Sequence, residues 1–189
     1  MNRVQKSIVL TGFTTAITSI LLLTIGNNAF AIEYTKYTSE NYGIQFEYPS
    51  NWQLTEKTSR FDDGPDIRIE SGTNQFDIYR YDDPENDLGA LNVETASNNV
   101  LNGLLSIDDF NAKIIENQSY IFLGGHRAQT FLISIENDEG IKGAHQNWQV
   151  FVGDHSYQII NLALASDFDS FENTQIRNHV MDSIKFLGY

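Results

Sequence analysis

The densest set of hard oxygen ligands in the chain is the run Asp82-Asp83-Pro84-Glu85-Asn86-Asp87. Its carboxylates at Asp82, Asp83, Glu85 and Asp87, with one amide, could supply several of the roughly six to eight oxygens that a calcium-sized cation needs. The spacing departs from that of a helix-loop-helix calcium loop, which requires a central glycine and a distant bidentate glutamate. A solvated acidic loop is therefore the competing expectation. Asp62, Asp63 and Asp66 repeat the idea more sparsely. Softer ligands come from His126, His145, His155 and His179, none of them at His-x-x-x-His spacing. With the surrounding strands drawn as a meander, His126 and His155 fall at the same end of the sheet, close to Asp154, as a second set for zinc or copper. His145 and His179 are expected at the surface or at caps. The chain has no cysteine, which removes thiolate metal sites, thiol nucleophiles and disulfides. It also lacks a Gly-x-Ser-x-Gly elbow, a phosphate-cradling glycine loop and His-Glu-x-x-His. The expectation is a protein that is not an enzyme, with a divalent metal as the one cofactor its residues could hold; a hydrolase is the weaker alternative.

Residues 1–31, MNRVQKSIVLTGFTTAITSILLLTIGNNAFA, read as a signal peptide. Arg3 and Lys6 form a positive start, Ile8 to Ile25 carries no charge, and Ala29-Phe30-Ala31 supplies the small-x-small pattern that a signal peptidase reads. Cleavage after Ala31 leaves 32–189 as a single domain delivered across a membrane. An uncleaved anchor is the alternative, since the apolar run approaches the length of a spanning helix.

The whole chain carries a formal charge of −13. Arg3 and Lys6 are the only charges in the leader, so the exported part stands two charges lower, at −15. Such a surface repels phosphate backbones and anionic headgroups, which excludes nucleic acid and membrane binding by the mature domain and leaves cations or a basic protein partner.

The elements that must position these groups follow from periodicity. In the stretch from Tyr42 to Tyr48, residues Tyr42, Ile44, Phe46 and Tyr48 alternate with Gly43, Gln45 and Glu47, a half-buried strand paired with Tyr34–Tyr37 across a polar turn. Trp52 is expected to plug one end of the core. Ile67–Ile69 and Gln75–Tyr81 are further strands, and the acidic run follows as a loop. The period then changes: Val93, Ala96, Val100 and Leu104 form one stripe of a helix over 92–106. Strands are expected at 112–116, 119–123, 126–136, 144–152 and 155–165, with turns at Gly124-Gly125, at 137–140 and at Gly153-Asp154. Ser166 or Asp167 caps a last helix whose stripe is Phe168, Phe171, Ile176, Val180 and Ile184. Strands, helix, strands, helix describe an α+β domain, an antiparallel sheet of about six strands flanked by helices in an αβα sandwich. Asn117-Gln118-Ser119 is one glycosylation sequon.

The phrase Tyr42-Gly43-Ile44-Gln45-Phe46-Glu47-Tyr48-Pro49-Ser50-Asn51-Trp52 resembles the start of PsbP-like domains, extracytoplasmic relatives of the photosystem II extrinsic protein PsbP. There an aromatic-Gly-x-x-aromatic strand runs into Tyr-Pro-x-x-Trp. The tail, with Tyr157 and then Met181-Asp182-Ser183-Ile184-Lys185-Phe186, is similar too, so the resemblance spans roughly residues 34 to 187. It implies the same sandwich and a non-catalytic accessory or assembly role through protein contacts, with metal ions in some members. Its motifs are structural, and no metal-binding residue carries over from it.

Overall fold

The computed structural model describes residues 32–57, 64–108 and 111–188. The expected leader, with Ala29 and Ala31, lies outside them, as do Asp62 and Asp63. The first hairpin joins β1 (Tyr34–Ser39) to β2 (Ile44–Pro49). The main sheet is built from β3 (Gln53–Glu56), β4 (Ile67–Ser71), β5 (Asn74–Tyr81), β6 (Lys113–Leu123), β7 (His126–Glu136), β8 (Lys142–Val152) and β9 (His155–Leu164). Its order is β3-β4-β5-β9-β8-β7-β6, and every pairing is antiparallel. The helices are α1 (Pro84–Leu88), α2 (Val93–Leu105), α3 (Ala165–Phe168) and α4 (Phe171–Ser183), and the two-residue β10 (Lys185–Phe186) closes the described chain.

Among the described residues the sheet has seven strands, in keeping with the expected count of about six, and the two strands expected at 112–116 and 119–123 are one, β6, with register shifts between Ile114 and Ser119. A second difference concerns the first hairpin. It does not extend the main sheet but forms a small sheet of its own, β1-β2-β10, laid over one face. The alternation in β2 explains this: Ile44 and Phe46 are fully buried against Ile67, Phe76, Val150, Tyr157 and Ile159 of the sheet below. Helix α4 completes the layer with Ile176, Val180 and Met181. Trp52 is buried in the same cluster, its ring centroid 6.1 Å from that of Phe76. The Tyr157 hydroxyl donates to the Tyr42 carbonyl at 2.8 Å and so ties the hairpin to the central strand.

Helix α2 covers the opposite face. The Asn92 side chain accepts from the Thr95 amide at 2.9 Å, and Val100, Leu101 and Leu104 pack on Phe131, Ile133 and Ile135. Two expectations about the helices need correction. The acidic run is not a loop: Asp83 caps α1, its side chain accepting from the Asn86 amide, Pro84 opens the first turn, and Gly89 ends it in the left-handed conformation at φ +62°. Proline and a capping aspartate are helix-start signals, and they outweigh the charge density that suggested a loop. At the C-terminal end neither Ser166 nor Asp167 caps the long helix. Ser170 does, accepting from the Asn173 amide at 3.2 Å, and Phe171 of the expected stripe is exposed.

His145, expected at the surface, is buried in β8, its ring stacked on Phe131 with centroids 6.3 Å apart. Desolvation holds its pKa down at about 3, and among the described residues its Nε2 has no partner. The folded state thus refuses a proton that the unfolded chain accepts, so stability falls as pH drops from about 6.5 toward 3. His145→Leu is expected to match the wild type or exceed it at pH 7. At pH 4.5 it should be more stable by about 3 kcal/mol in urea unfolding. Parallel pH profiles would contradict this.

The β6–β7 turn rests on Gly124 and Gly125, at φ +54° and +86°. A Cβ on Gly124 would stand 2.8 Å from the Phe186 ring and 3.2 Å from the Ile184 carbonyl oxygen. Gly124→Ala should therefore lower unfolding stability by about 1–3 kcal/mol, through both backbone strain and the lost seat of Phe186. Gly125→Ala meets nothing within 4 Å among the described residues and should cost less.

Candidate functional site

The acidic run and the histidine set meet at one point, which the sequence left separate. Register sets Val152 opposite His155 and Tyr81 opposite Ser156, so Asp82 arrives beside His155 at one end of the sheet. His155 Nδ1 lies 3.3 Å from Asp82 Oδ1. Arg80 links both: its Nε is 2.9 Å from Asp82 Oδ1 and its Nη2 is 2.9 Å from His155 Nε2. A guanidinium only donates, so in this contact His155 Nε2 is the acceptor. Arg80 Nη1 also donates to the Asn41 carbonyl at 2.7 Å, which fastens the β1–β2 turn to the main sheet. Asp66 lies beneath, accepting from the Arg80 amide at 2.6 Å; burial pushes its carboxyl up from the ordinary range, against the pull of that hydrogen bond.

The remaining expected ligands go elsewhere. Asp83 is used as a cap, Glu85 and Asp87 point from exposed positions of α1, and Asp154 is exposed in the β8–β9 turn. His126 packs edge-on against Phe186 at 5.6 Å. His179 stacks on Tyr34 at 3.6 Å while its Nε2 meets Glu47 Oε2 at 2.8 Å. Among the described residues no three His, Asp or Glu side chains gather as a metal set. A cation at Asp82 and His155 would have to displace Arg80 from both.

Three surfaces that the sequence did not single out are more informative. Under α2 a ladder of buried amides crosses the central strands, Gln129 opposite Gln149 and Gln149 opposite Gln158. Gln158 accepts from the Tyr81 hydroxyl at 2.9 Å and donates to Asn147 at 2.7 Å. This row makes one face of the sheet polar at its centre. The second surface is the outer edge strand β6. Of seven exposed large hydrophobic side chains among the described residues, four, Ile114, Ile115, Tyr120 and Phe122, belong to it. Phe122 is 80% exposed, and Arg127 lies over the Tyr120 ring at 3.7 Å. The third is a groove of about 290 Å³ lined by Ile32, Glu33, Pro49, Ser50, Asn51, Trp52, Glu172 and Ile176.

This arrangement, an antiparallel seven-stranded sheet with helices on both faces and an aromatic hairpin laid across one of them, defines an α+β sandwich of PsbP-like type. Cyanobacterial PsbP (CyanoP) from Synechocystis sp. PCC 6803 has a similar structure, with a TM-score of 0.63 at 14% identity over 87% of this chain and 98% of that one. LpqN, described as involved in cell envelope biogenesis of Mycobacterium tuberculosis, gives a TM-score of 0.58 at 15% identity over 82% and 91% of the two chains. No protein-family model and no curated protein sequence matches the chain. The fold is therefore PsbP-like, as the opening phrase implied.

Arg80 holds three elements at once and is mostly buried. Arg80→Gln should reduce unfolding stability by about 1–3 kcal/mol, since it leaves Asn41 and His155 without their donor. Asp82→Asn, at a carboxylate 70% exposed, should cost less than about 1 kcal/mol. Equal losses in denaturant melts would contradict the central place given to Arg80.

Proposed function

We propose that this is an exported, non-catalytic accessory domain that binds a protein partner outside the membrane, with the β6 edge as its docking surface. One observation carries the reading: the exposed large apolar side chains concentrate on a single edge strand. An edge offers unpaired backbone donors and acceptors to an added strand, and alternate side chains give that strand its specificity. The edge is also electrically quiet. Lys113, Glu116, Arg127 and Glu136 cancel across residues 113–136, in a chain whose formal charge is −13. The regular ladder from Ser119 to Leu123, beyond the bulges, is the part best shaped for pairing. The leader supports export, and the PsbP-like fold, shared with an envelope protein, is compatible with an accessory role there.

Metal binding is the second reading, and it draws on Asp82 beside His155. Arg80 between them weighs against it. It requires the melting temperature to rise with calcium, manganese, zinc or copper.

Affinity recovery from the host envelope at low and high salt tests the first reading. The wild type should retain a partner, and Phe122→Ser with Ile115→Ser should lose it while changing stability by no more than about 0.5 kcal/mol per site. Recovery of the same partner by the double variant, or of none by the wild type, would contradict it.

A further inference from the structure

We propose that one water molecule is built into the core beneath α2, where it accepts from Asn147 and donates to Gln149 and Gln129. Two runs of side-chain hydrogen bonds end on either side of it. The first starts on β5: the Tyr81 hydroxyl donates to Gln158 at 2.9 Å, and Gln158 donates to Asn147 at 2.7 Å. The second ends on α2: Gln129 donates to Gln118 at 3.4 Å, and Gln118 donates to Ser97 at 3.1 Å. Gln149, between the two runs on β8, uses its Nε2 on the Ser156 hydroxyl. Three amide atoms are left over. Among the described residues Asn147 Nδ2, Gln149 Oε1 and Gln129 Oε1 have no partner, in residues that are 0%, 0% and 6% exposed.

Register brings the three together. Gln129 lies directly opposite Gln149, and Asn147 is two residues along β8 on the same face. Their Cβ atoms are thus about 5 to 8 Å apart, within reach of one oxygen bonded to each amide. Exchanging partners does not remove the deficit. A direct bond from Gln149 to Gln129 would strip Ser156, itself fully buried, of its donor. The mix of free atoms selects the occupant, since one donor and two acceptors must be met at once. A metal cation offers nothing to the Asn147 amide, and an anion offers nothing to the two carbonyls. Water serves both, and about three hydrogen bonds is what a buried water typically makes. With it in place every donor points the same way, from Tyr81 through Gln158, Asn147, the water, Gln129 and Gln118 to Ser97. Bonds aligned in this way polarise and strengthen one another. The chain crosses the sheet from β5 to β6 and ties it to α2 at Ser97, which is fully buried.

The exported chain, crystallised at a resolution that shows ordered water, should carry an oxygen peak within about 3.2 Å of all three amide atoms. Oxygen-17 relaxation dispersion then counts long-lived waters in solution without interference from side-chain hydroxyls. Gln129→Met keeps the length of the side chain and removes Oε1, so the count should fall by one. Gln118→Met breaks the same Gln129–Gln118 hydrogen bond but leaves Oε1, and should keep the wild-type count. A crystal in which Gln149 and Gln129 bond directly, with no oxygen peak between them and Asn147, would overturn the inference. So would equal counts in the wild type and Gln129→Met, or an equal loss in both variants. Should Gln129→Met fail to fold, the wild-type crystal decides alone. The result is independent of any partner at β6, since none of the three ligands lies on that strand.

Discussion

Everything in this molecule depends on the alternation of side chains across the four central strands, β5, β9, β8 and β7. Ile78, Ile159, Trp148 and Thr130 share one face by direct register, with Arg80, Tyr157, Val150 and Ala128 two positions along it. That face accepts the hairpin and α4. Gln129, Gln149 and Gln158 share the other face, under α2. A slip of one residue in any of these strands would put amides beneath Phe46 and isoleucines beneath the polar part of α2. Hydrophobic burial on the first face thus fixes the register, and the amide ladder makes the wrong register costly on the second.

The same register sets what the molecule shows at its surface. It brings Asp82 beside His155 and sets Arg80 between them, so that chemistry suggestive of a metal becomes an anchor for the β1–β2 turn. Among the described residues it leaves β6 outermost, with no strand beyond it, Phe122 in solvent and Tyr120 partly exposed. The hairpin laid across the sheet, by bending back at Pro49, forms the groove together with α4. A quiet apolar edge and an acidic groove are surfaces of opposite character, and they belong to opposite sides of the sheet order.

Much of the fold was legible in the sequence, because period-two runs and two-residue glycine turns are local signals. The strands from His126 to Leu164 and the α2 stripe needed no tertiary information. The placement of the first hairpin did need it: Tyr42 to Tyr48 reads equally well as a sheet strand or as a strand packed on a sheet. Local capping decided other points against charge and hydropathy. Asp83 and Pro84 start a helix inside the acidic run, and Ser170 rather than Ser166 caps α4. The His126, Asp154, His155 set was drawn on the correct end of the sheet, but side-chain partners separate it: Phe186 takes His126, and Arg80 with Asp82 takes His155. The exposure of Phe122 was not readable at all, since alternation separates it from Ile121 and Leu123, which pack on the core, without telling which side of the strand is left uncovered.

The claim that carries most weight is that β6 meets another protein. Replacing Phe122 by a photo-crosslinking phenylalanine analogue in the living host tests it without purification. Irradiation should join this chain to one discrete protein, with an analogue at Phe171, exposed but far along the chain on α4, giving a weaker adduct or none. Adducts of equal strength from both positions, or none from Phe122, would contradict the account.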